Sequence, residues 1–437
     1  MKTKTARQVV NVVTLGCSKN IVDSESLMKQ LDANGLRVVH NSNSFKADTV
    51  VINTCGFIRD AKEESIDTIL QFVKAKETGK IHRVYVMGCL SERYKPDLER
   101  EIGSVDQYFG SNDMQAILQT LGYDYKENLV GERLTTTPRH YAYLKISEGC
   151  DRQCSFCAIP LMRGKHQSKT LEALEHEAKI LANQGTKELI LIAQDLTYYG
   201  VDLYRRQMIG ELLRRLSDVQ GLEWIRLHYA YPAGFPKEVL HLMRERKNIC
   251  NYLDIPFQHI SDPVLKKMRR GVTARQTYDL INLFREQVPG LSLRTTLMVG
   301  HPGEGDQEFR ELQEFVEKVR FDRLGVFTYS EEEDTYGAKN FKDRIPEDIK
   351  QERSRLIMDQ QAQISDELNR TKIGSIRQVI IDRREDEFYI GRTEGDSPEV
   401  DNEVLVKSTK KLLPGNFYPV RITGSETYDL MAEVVQG

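Results

Sequence analysis

Apolar positions along the first 130 residues come in short β-branched bursts rather than in one continuous stripe. The runs VVNVVTLGC, DTVVINTCGF and HRVYVMGC are separated by helix-like stretches such as SESLMKQLDANG and AKEESIDTILQFVKAKETGK. Strand, helix, strand at this rhythm predicts a parallel α/β sheet over residues 8–130. From about 135 to 365 the same rhythm recurs six times, in YAYLKISEGC, KELILIAQD, LEWIRLHYAYP, NYLDIPFQH, LSLRTTLMVGHPGE and RLGVFTYS. Six strands alternating with helices predict a partial (β/α)6 barrel, whose chemistry gathers at the carboxyl ends of its strands. A charged helical stretch, PEDIKQERSRLIMDQQAQISDELNRTKIG, then leads into residues 368–437. There, short strands punctuated by glycines predict a small β-barrel. The predicted fold class is therefore α/β, with a small all-β module at the carboxyl end.

The strand pattern also sorts the cysteines. Each of the three amino-terminal runs ends in one, Cys17, Cys55 and Cys89. In an open parallel sheet the carboxyl ends of the strands form the ligand crevice, so three thiols distant in sequence converge there. A single such cysteine reads as a small buried hydrophobe; three at equivalent strand ends read as a set. Polar residues collect at the strand ends of the central segment too, including Gln194, Asp195, His228, Gln258, His259 and Arg294.

Composition narrows the class. A chain of 437 residues with 40% hydrophobic content buries two or three cores and is not disordered. No stretch is long enough to span a bilayer, and the basic start MKTKTAR leads into a short strand-like run with no small-residue cleavage site. The expectation is a soluble cytoplasmic protein with no membrane partner. Seven cysteines are too sparse for a disulfide scaffold, so clustered thiols point to metal or catalysis. A net charge of −3 lacks the basic excess that drives sequence-independent nucleic-acid binding. From Lys372 onward nine Lys and Arg stand against twelve Asp and Glu, a surface better suited to a basic macromolecule than to RNA phosphates.

The remaining cluster is EGCDRQCSFC, in which Cys150, Cys154 and Cys157 leave the first barrel strand as CxxxCxxC. Four cysteines close a structural site; three on a cubane leave one iron without a protein ligand, the mark of a reactive centre. The competing structural reading is zinc, with His166 as fourth ligand, though its spacing fits zinc patterns only loosely. Cys250 matches no motif and reads as a packing or surface residue.

CDRQCSFC, with an aromatic before its last cysteine and a (β/α) barrel behind it, resembles the radical S-adenosylmethionine (SAM) superfamily. The resemblance implies a 4Fe-4S cluster on Cys150, Cys154 and Cys157 whose open iron chelates SAM and, once reduced, cleaves it to a deoxyadenosyl radical. Across essentially the whole chain the three-segment layout is similar to the methylthiotransferases. That similarity implies a second 4Fe-4S cluster on Cys17 in LGCSKNIVDSE, Cys55 in VINTCGF and Cys89 in MGCL, and a carboxyl-terminal TRAM barrel. It implies two uses of SAM, as methyl donor and as radical source, with Gln194, Asp195 and Arg294 near the cofactor. No catalytic residue beyond the ligands is singled out.

The segments TPRHYAYLKISEGC, RLHYAYP, YLDIPFQH and GRTEGDSPEVDNEV resemble the protein-directed branch of this family. What that branch implies is methylthiolation of the β-carbon of an aspartate in ribosomal protein S-twelve, free or within the small subunit. An electron donor such as flavodoxin is implied, and no stable nucleic-acid partner. The alternatives are a tRNA adenosine methylthiotransferase, which shares every cysteine, and a non-catalytic RNA-binding protein with structural zinc.

Overall fold

The computed structural model describes residues 8–42 and 47–435; MKTKTAR, read above for a leader, lies outside them. The amino-terminal sheet has five strands, β1 (Val9–Thr14), β2 (Arg37–His40), β3 (Thr49–Thr54), β4 (Arg83–Gly88) and β5 (Gln107–Tyr108), all parallel in the order β2-β1-β3-β4-β5. Three of these are the predicted runs. The edge strands β2 and β5 escape the sequence pattern because they are four and two residues long, too short to show a period. In this order the chain reverses direction across the sheet between β1 and β3, which opens the crevice at their carboxyl ends.

The central sheet begins with β6 (Tyr141–Lys145), and a small hairpin of β7 (Ser147–Glu148) and β8 (Gln167–Ser168) brackets the cysteine loop. It continues through β9 (Glu188–Ile192), β10 (Trp224–Leu227), β11 (Ile249–Asp254), β12 (Ser292–Val299) and β13 (Arg323–Thr328). The order β13-β12-β11-β10-β9-β6 is parallel throughout and open at both edges, as the six runs predict. Register assigns the faces. Ala142, Leu144, Leu189, Leu191, Ile225, Leu227, Leu253 and Leu293 point outward and form, with the surrounding helices, the largest core. Tyr141, Tyr143, Lys145, Glu188, Arg226, His228, Tyr252, Asp254, Arg294 and Arg323 point inward.

A 24-residue helix, Glu347–Arg370, leads to a closed antiparallel and parallel barrel of β14 (Ile376–Glu385), β15 (Phe388–Arg392), β16 (Val404–Lys407), β17 (Phe417–Ser425) and β18 (Leu430–Val434). This barrel covers the amino ends of the central strands. Ile380 packs with Trp224, Cys250 and Tyr252, and the Phe417 ring meets Trp224 edge-on at 4.8 Å. Cys250, fully buried there, is a packing residue.

The segment between β15 and β16, residues 393–403, runs into the open lumen. Glu399 accepts hydrogen bonds from Tyr141 (3.0 Å) and Tyr143 (3.1 Å), and Asp401 from Tyr252 (2.7 Å) and Arg294 (3.2 Å). Ser397 meets His228 at 2.8 Å, and Asp396 pairs with Arg323. Below them Arg392 joins Asp382 (2.7 Å) and Glu188 (2.8 Å). The acidity of this segment is thus partly internal. Asp382, Asp396 and Asp401 are turned inside and paired, while of the nine basic residues only Arg392 and Lys372 leave the exposed surface with them. The acidic face predicted for a basic partner is correspondingly weaker.

Burial pushes the Asp396 carboxyl up, but Arg323 and Lys372 outweigh it and hold the group below its ordinary value; Asp382 is held down in the same way by His140 and Arg392. A carboxyl whose folded pKa lies below its unfolded value of about 3.9 stabilises the fold fully above that value. The contribution disappears as pH falls through the lower folded value. The melting temperature should therefore hold from pH 7 to about 4 and drop below it. Asp396→Asn, which strands a buried guanidinium, should cost about 3 kcal/mol at pH 7 and flatten that acid limb, as measured by thermal denaturation.

Candidate active site

All three amino-terminal cysteines stand where a strand hands over to a helix. Cys17 caps the helix Ser18–Ala33, Cys55 follows β3 just ahead of the helix Arg59–Glu77, and Cys89 opens the helix Cys89–Glu101. Helix amino-termini favour anionic sulfur. Two glycines let the loops close on one another. At Gly16, with φ +87°, a Cβ would lie 2.6 Å from the Cys55 Cβ and 2.9 Å from its Sγ; at Gly56 one would lie 2.8 Å from the Leu90 backbone beside Cys89. The sheet order thus brings Cys17, Cys55 and Cys89 together.

Cys150, Cys154 and Cys157 lie in the loop between β7 and β8. The Cys150 sulfur accepts from the Arg152 amide at 3.4 Å, and the Cys154 sulfur from Arg270 Nη1 at 3.4 Å, with the Tyr231 hydroxyl at 3.7 Å. The Arg270 and Arg152 guanidinium groups both stack on the Tyr231 ring, 4.3 and 4.1 Å from its centroid. Arg152 also binds Asp195 at 2.7 Å, and Asp195 caps the next turn through Thr197. Gln194 donates to Glu148 at 2.9 Å, while its carbonyl oxygen is buried without a partner, an acceptor left over for a ligand N–H. Gln194 and Asp195 therefore adjoin the cysteine loop. Arg294 is placed differently: it sits lower in the lumen, divided between Asp254 (3.1 Å) and Asp401 (3.2 Å), and no hydrogen bond or ion pair links it to the loop among the described residues.

One helical turn joins the two thiol sets. The helix Ile159–Arg163 begins two residues after Cys157, and its Met162, with Ala158 before it, packs on Cys89. Arg163 donates Nε to the Cys89 sulfur at 3.1 Å and Nη1 to Asp23 at 2.7 Å and Glu148 at 3.3 Å, and its Nη2 binds Asn20. Lys145 binds the same two carboxylates, Asp23 and, at 2.6 Å, Glu148. Burial disfavours ionising Asp23 and Glu148, yet Lys145 and Arg163 more than compensate and hold both below the usual carboxylate range.

Sequence reading missed this cluster. Its available signal was the strand period, which sets Lys145 on the same inward face as Tyr141 and Tyr143, together with the basic residue in IPLMRGKH directly after the cysteine motif.

The thiols fit iron. Burial raises Cys55 and pushes Cys89 and Cys150 to about 11 and Cys157 to about 12, despite the nearby arginines. Such thiols need a bound cation to lose their protons at neutral pH. Both sets are all-sulfur, suited to a soft metal centre, and each has an arginine donating to a ligand sulfur. A four-iron cube spreads its thiolates over different irons, farther apart than the ligands of one ion. Among the described residues no three His, Cys, Asp or Glu converge tightly enough for a single metal ion, and His166 Nε2 is engaged by Ser168 at 3.0 Å.

Comparison with known proteins agrees with this geometry. Residues 144–316 match the radical SAM superfamily, 9–110 the uncharacterized protein family UPF0004 and 373–435 the TRAM domain. A protein of Phocaeicola vulgatus named ribosomal protein uS12 methylthiotransferase RimO is 56% identical over 430 residues, covering 98% of this chain and 100% of that one. One of Christiangramia forsetii with the same name is 57% identical over 435 residues, covering 99% and 96%. The chain belongs to the RimO family of radical SAM methylthiotransferases. A 4Fe-4S cluster and SAM are cofactors of radical SAM enzymes such as RimO. The fold extends to TsrM of Kitasatospora setae, a radical SAM methyltransferase, at TM-score 0.55 and 16% identity over 74% of this chain and 75% of that one. It extends also to OxsB, a cobalamin-dependent SAM radical enzyme, at TM-score 0.52 and 15% identity over 76% and 55%. No helix among the described residues of this RimO-family chain is long and apolar enough to cross a membrane.

Gly16 offers a direct check of the amino-terminal set. Gly16→Ala combines about 1–2 kcal/mol of backbone strain with a clash against Cys55. If each thiol set holds a four-iron cluster, the variant should lose the iron of the amino-terminal set alone, roughly halving iron per chain in a colorimetric assay.

Proposed function

We propose that the chain transfers a methylthio group to the β-carbon of an aspartate in uS12, using SAM as methyl donor and as radical source. The observation that carries this reading is two three-thiol sets joined by one short helix, which follows Cys157 and packs on Cys89, in a chain 56% identical end to end to proteins named as uS12 methylthiotransferases. In this reading residues 8–130 carry the sulfur centre, 135–365 the radical core and 368–437 the supporting TRAM barrel. Cys150, Cys154 and Cys157 hold the SAM-binding cluster, and Cys17, Cys55 and Cys89 hold a second one. Bound there, the clusters and SAM supply the electron, the hydrogen-abstracting radical and the methylthio group.

The side chains have separable tasks. The arginine-lined, tyrosine-stacked loop holds the sulfurs of the barrel set away from bulk water. The free carbonyl of Gln194 is offered to the amino group of SAM, and Asp195 fixes Arg152 within the cysteine loop. Arg294 we assign a more distant part, ordering the strand end through Asp254. Arg163 holds the two sets in register and donates to the Cys89 sulfur, which stabilises negative charge there. A soluble low-potential carrier such as flavodoxin provides the electron. The place of action is the cytoplasm, where uS12 is met free or on the small subunit.

Anaerobic, iron-reconstituted protein given reductant, sulfide and SAM should add a methylthio mass increment to uS12 when uS12 and unmodified tRNA are offered together. The same increment on adenosine would overturn the substrate assignment. Alanine at Cys150, Cys154 and Cys157 should abolish deoxyadenosine formation from SAM. Alanine at Cys17, Cys55 and Cys89 should leave that cleavage largely intact and end methylthio transfer, both read by mass spectrometry.

A further inference from the structure

Three lysines are buried among the described residues: Lys19, Lys145 and Lys350. Lys145 is paired with Asp23 and Glu148, and Lys350 with Asp343 at 2.5 Å. Lys19, only 8% exposed, has no hydrogen bond and no ion pair among the described residues. Its ammonium rests 3.3 Å from the centroid of the Tyr229 ring. A π face offsets part of the cost of removing an ammonium from water, but it satisfies none of the three N–H donors. An ammonium on a largely buried side chain, with a ring beside it and no anion, is open to one on its free side.

Its location says which anion is wanted. Lys19 is the second residue of the helix that Cys17 caps, so it hangs from the same rigid turn as a proposed ligand of the sulfur centre. Tyr229 follows β10 at the carboxyl ends of the barrel strands. Its carbonyl accepts from Leu196, next to the Asp195 that holds Arg152 in the cysteine loop. Tyr229 also has φ 65°, strained for a bulky residue, and is held there by the Leu196 contact and by its amide donating to Asp254 at 3.2 Å. The ammonium therefore links the helix that Cys17 caps to a ring held at the carboxyl ends of the barrel strands. Neighbouring carboxylates are already committed: Asp23 and Glu148 to Lys145 and Arg163, Asp254 to Arg294.

We propose that Lys19 reads the target residue, pairing with the side-chain carboxylate of the substrate aspartate; this rests on the uS12 reading given above. The carboxyl carbon of an aspartate is bonded directly to the β-carbon that is to be modified. A cation that grips the carboxylate thus fixes the reacting carbon one bond away, whereas a grip on the peptide backbone would leave a side-chain torsion free. The Lys19 pairing would also distinguish aspartate from asparagine, because only the charged group answers a buried ammonium.

A second carboxylate enters this site, that of the methionyl part of SAM, and the experiment separates the two. Full-length, iron-reconstituted protein is titrated anaerobically with a labelled synthetic peptide spanning the modified loop of uS12, and with the same peptide carrying asparagine at the target position. Wild type should prefer the aspartate peptide by about tenfold or more, the effect of one charge-assisted contact. Lys19→Met should bring the two peptides to within about twofold, and Lys19→Arg should keep a preference of several-fold. An undiminished preference in Lys19→Met would overturn the proposal. So would an intact preference accompanied by weakened SAM binding, which would assign the ammonium to the cofactor carboxylate. If wild type shows no preference while methylthiolating tRNA instead, the uS12 reading itself falls, and that outcome appears before any variant is made. Iron content and thermal melting of both variants identify a folding defect, and Lys19→Arg preserves the charge where Lys19→Met unfolds.

Discussion

Two cations and two anions hold this enzyme in working order: Lys145 and Arg163 against Asp23 and Glu148, all removed from water at the junction of the amino-terminal sheet and the barrel. Burying any one of them alone costs several kcal/mol. Together they are neutral, and each carboxylate is shared by both cations, so the penalty is met only when every member is in place. Asp23 comes from the helix that Cys17 caps, Glu148 stands two residues before Cys150, and Arg163 reaches the Cys89 sulfur. Displacing either domain therefore leaves a buried charge uncompensated and moves a thiol at the same time. An apolar junction could bury as much area, but it would resist sliding less, because dispersion is non-directional while a guanidinium whose nitrogens bond Cys89, Asp23, Glu148 and Asn20 is not.

The architecture of each domain was legible because it rests on local periodicity. Six parallel strands, the ladder that places Cys17, Cys55 and Cys89 at strand ends, and the small terminal barrel all follow from patterns of ten residues or so. What escaped is what depends on long-range pairing. Arg163 and Asp23 are 140 residues apart, and neither stands in a pattern that marks it for the other. The acidity of the last segment misled for the same reason. Composition counts Asp382, Asp396 and Asp401 as surface charge, whereas the fold turns them inward onto His140, Arg323, Arg392 and Arg294. The stretch GDSPEVDNEV was a sound sign of the family, yet its role here is as internal counter-ion and not as an exposed acidic tract.

That inward turn explains why an open barrel tolerates so polar an interior. A six-stranded parallel sheet has two free edges and an unfilled lumen, and on its inner face stand Arg226, Arg294 and Arg323 with only Glu188 and Asp254 to answer them. The 393–403 segment supplies the missing carboxylates and hydroxyls and converts exposed arginines into satisfied ones. The terminal barrel is in this sense part of the catalytic barrel: it closes the amino-end side, where Trp224 and Phe417 meet.

Closing that side leaves the carboxyl-end rim as the approach to the cysteine loops. The lower lumen is filled by residues 393–403, the outer face by helices, and the flank beside β6 and β9 by Val22, with Ile21, packed on Tyr141, Tyr143, Ile190 and Ile192. A cavity beside Arg294, Arg323 and Asp401 opens at the β13 edge, and the way to the thiols themselves is the rim at the carboxyl ends, between the Cys150 loop and the helix that Cys17 caps. Among the described residues near that rim Asp23, Asp195 and Asp254 are each paired with a cation, Arg270 gives N–H groups to the Cys154 sulfur and the Pro256 carbonyl, and the ammonium of Lys19 over Tyr229 has neither a hydrogen bond nor an ion pair. An ammonium left there with neither partner is complementary to a ligand bearing negative charge. An aspartate side chain entering from the rim brings that charge, and brings it attached to the carbon on which the reaction takes place.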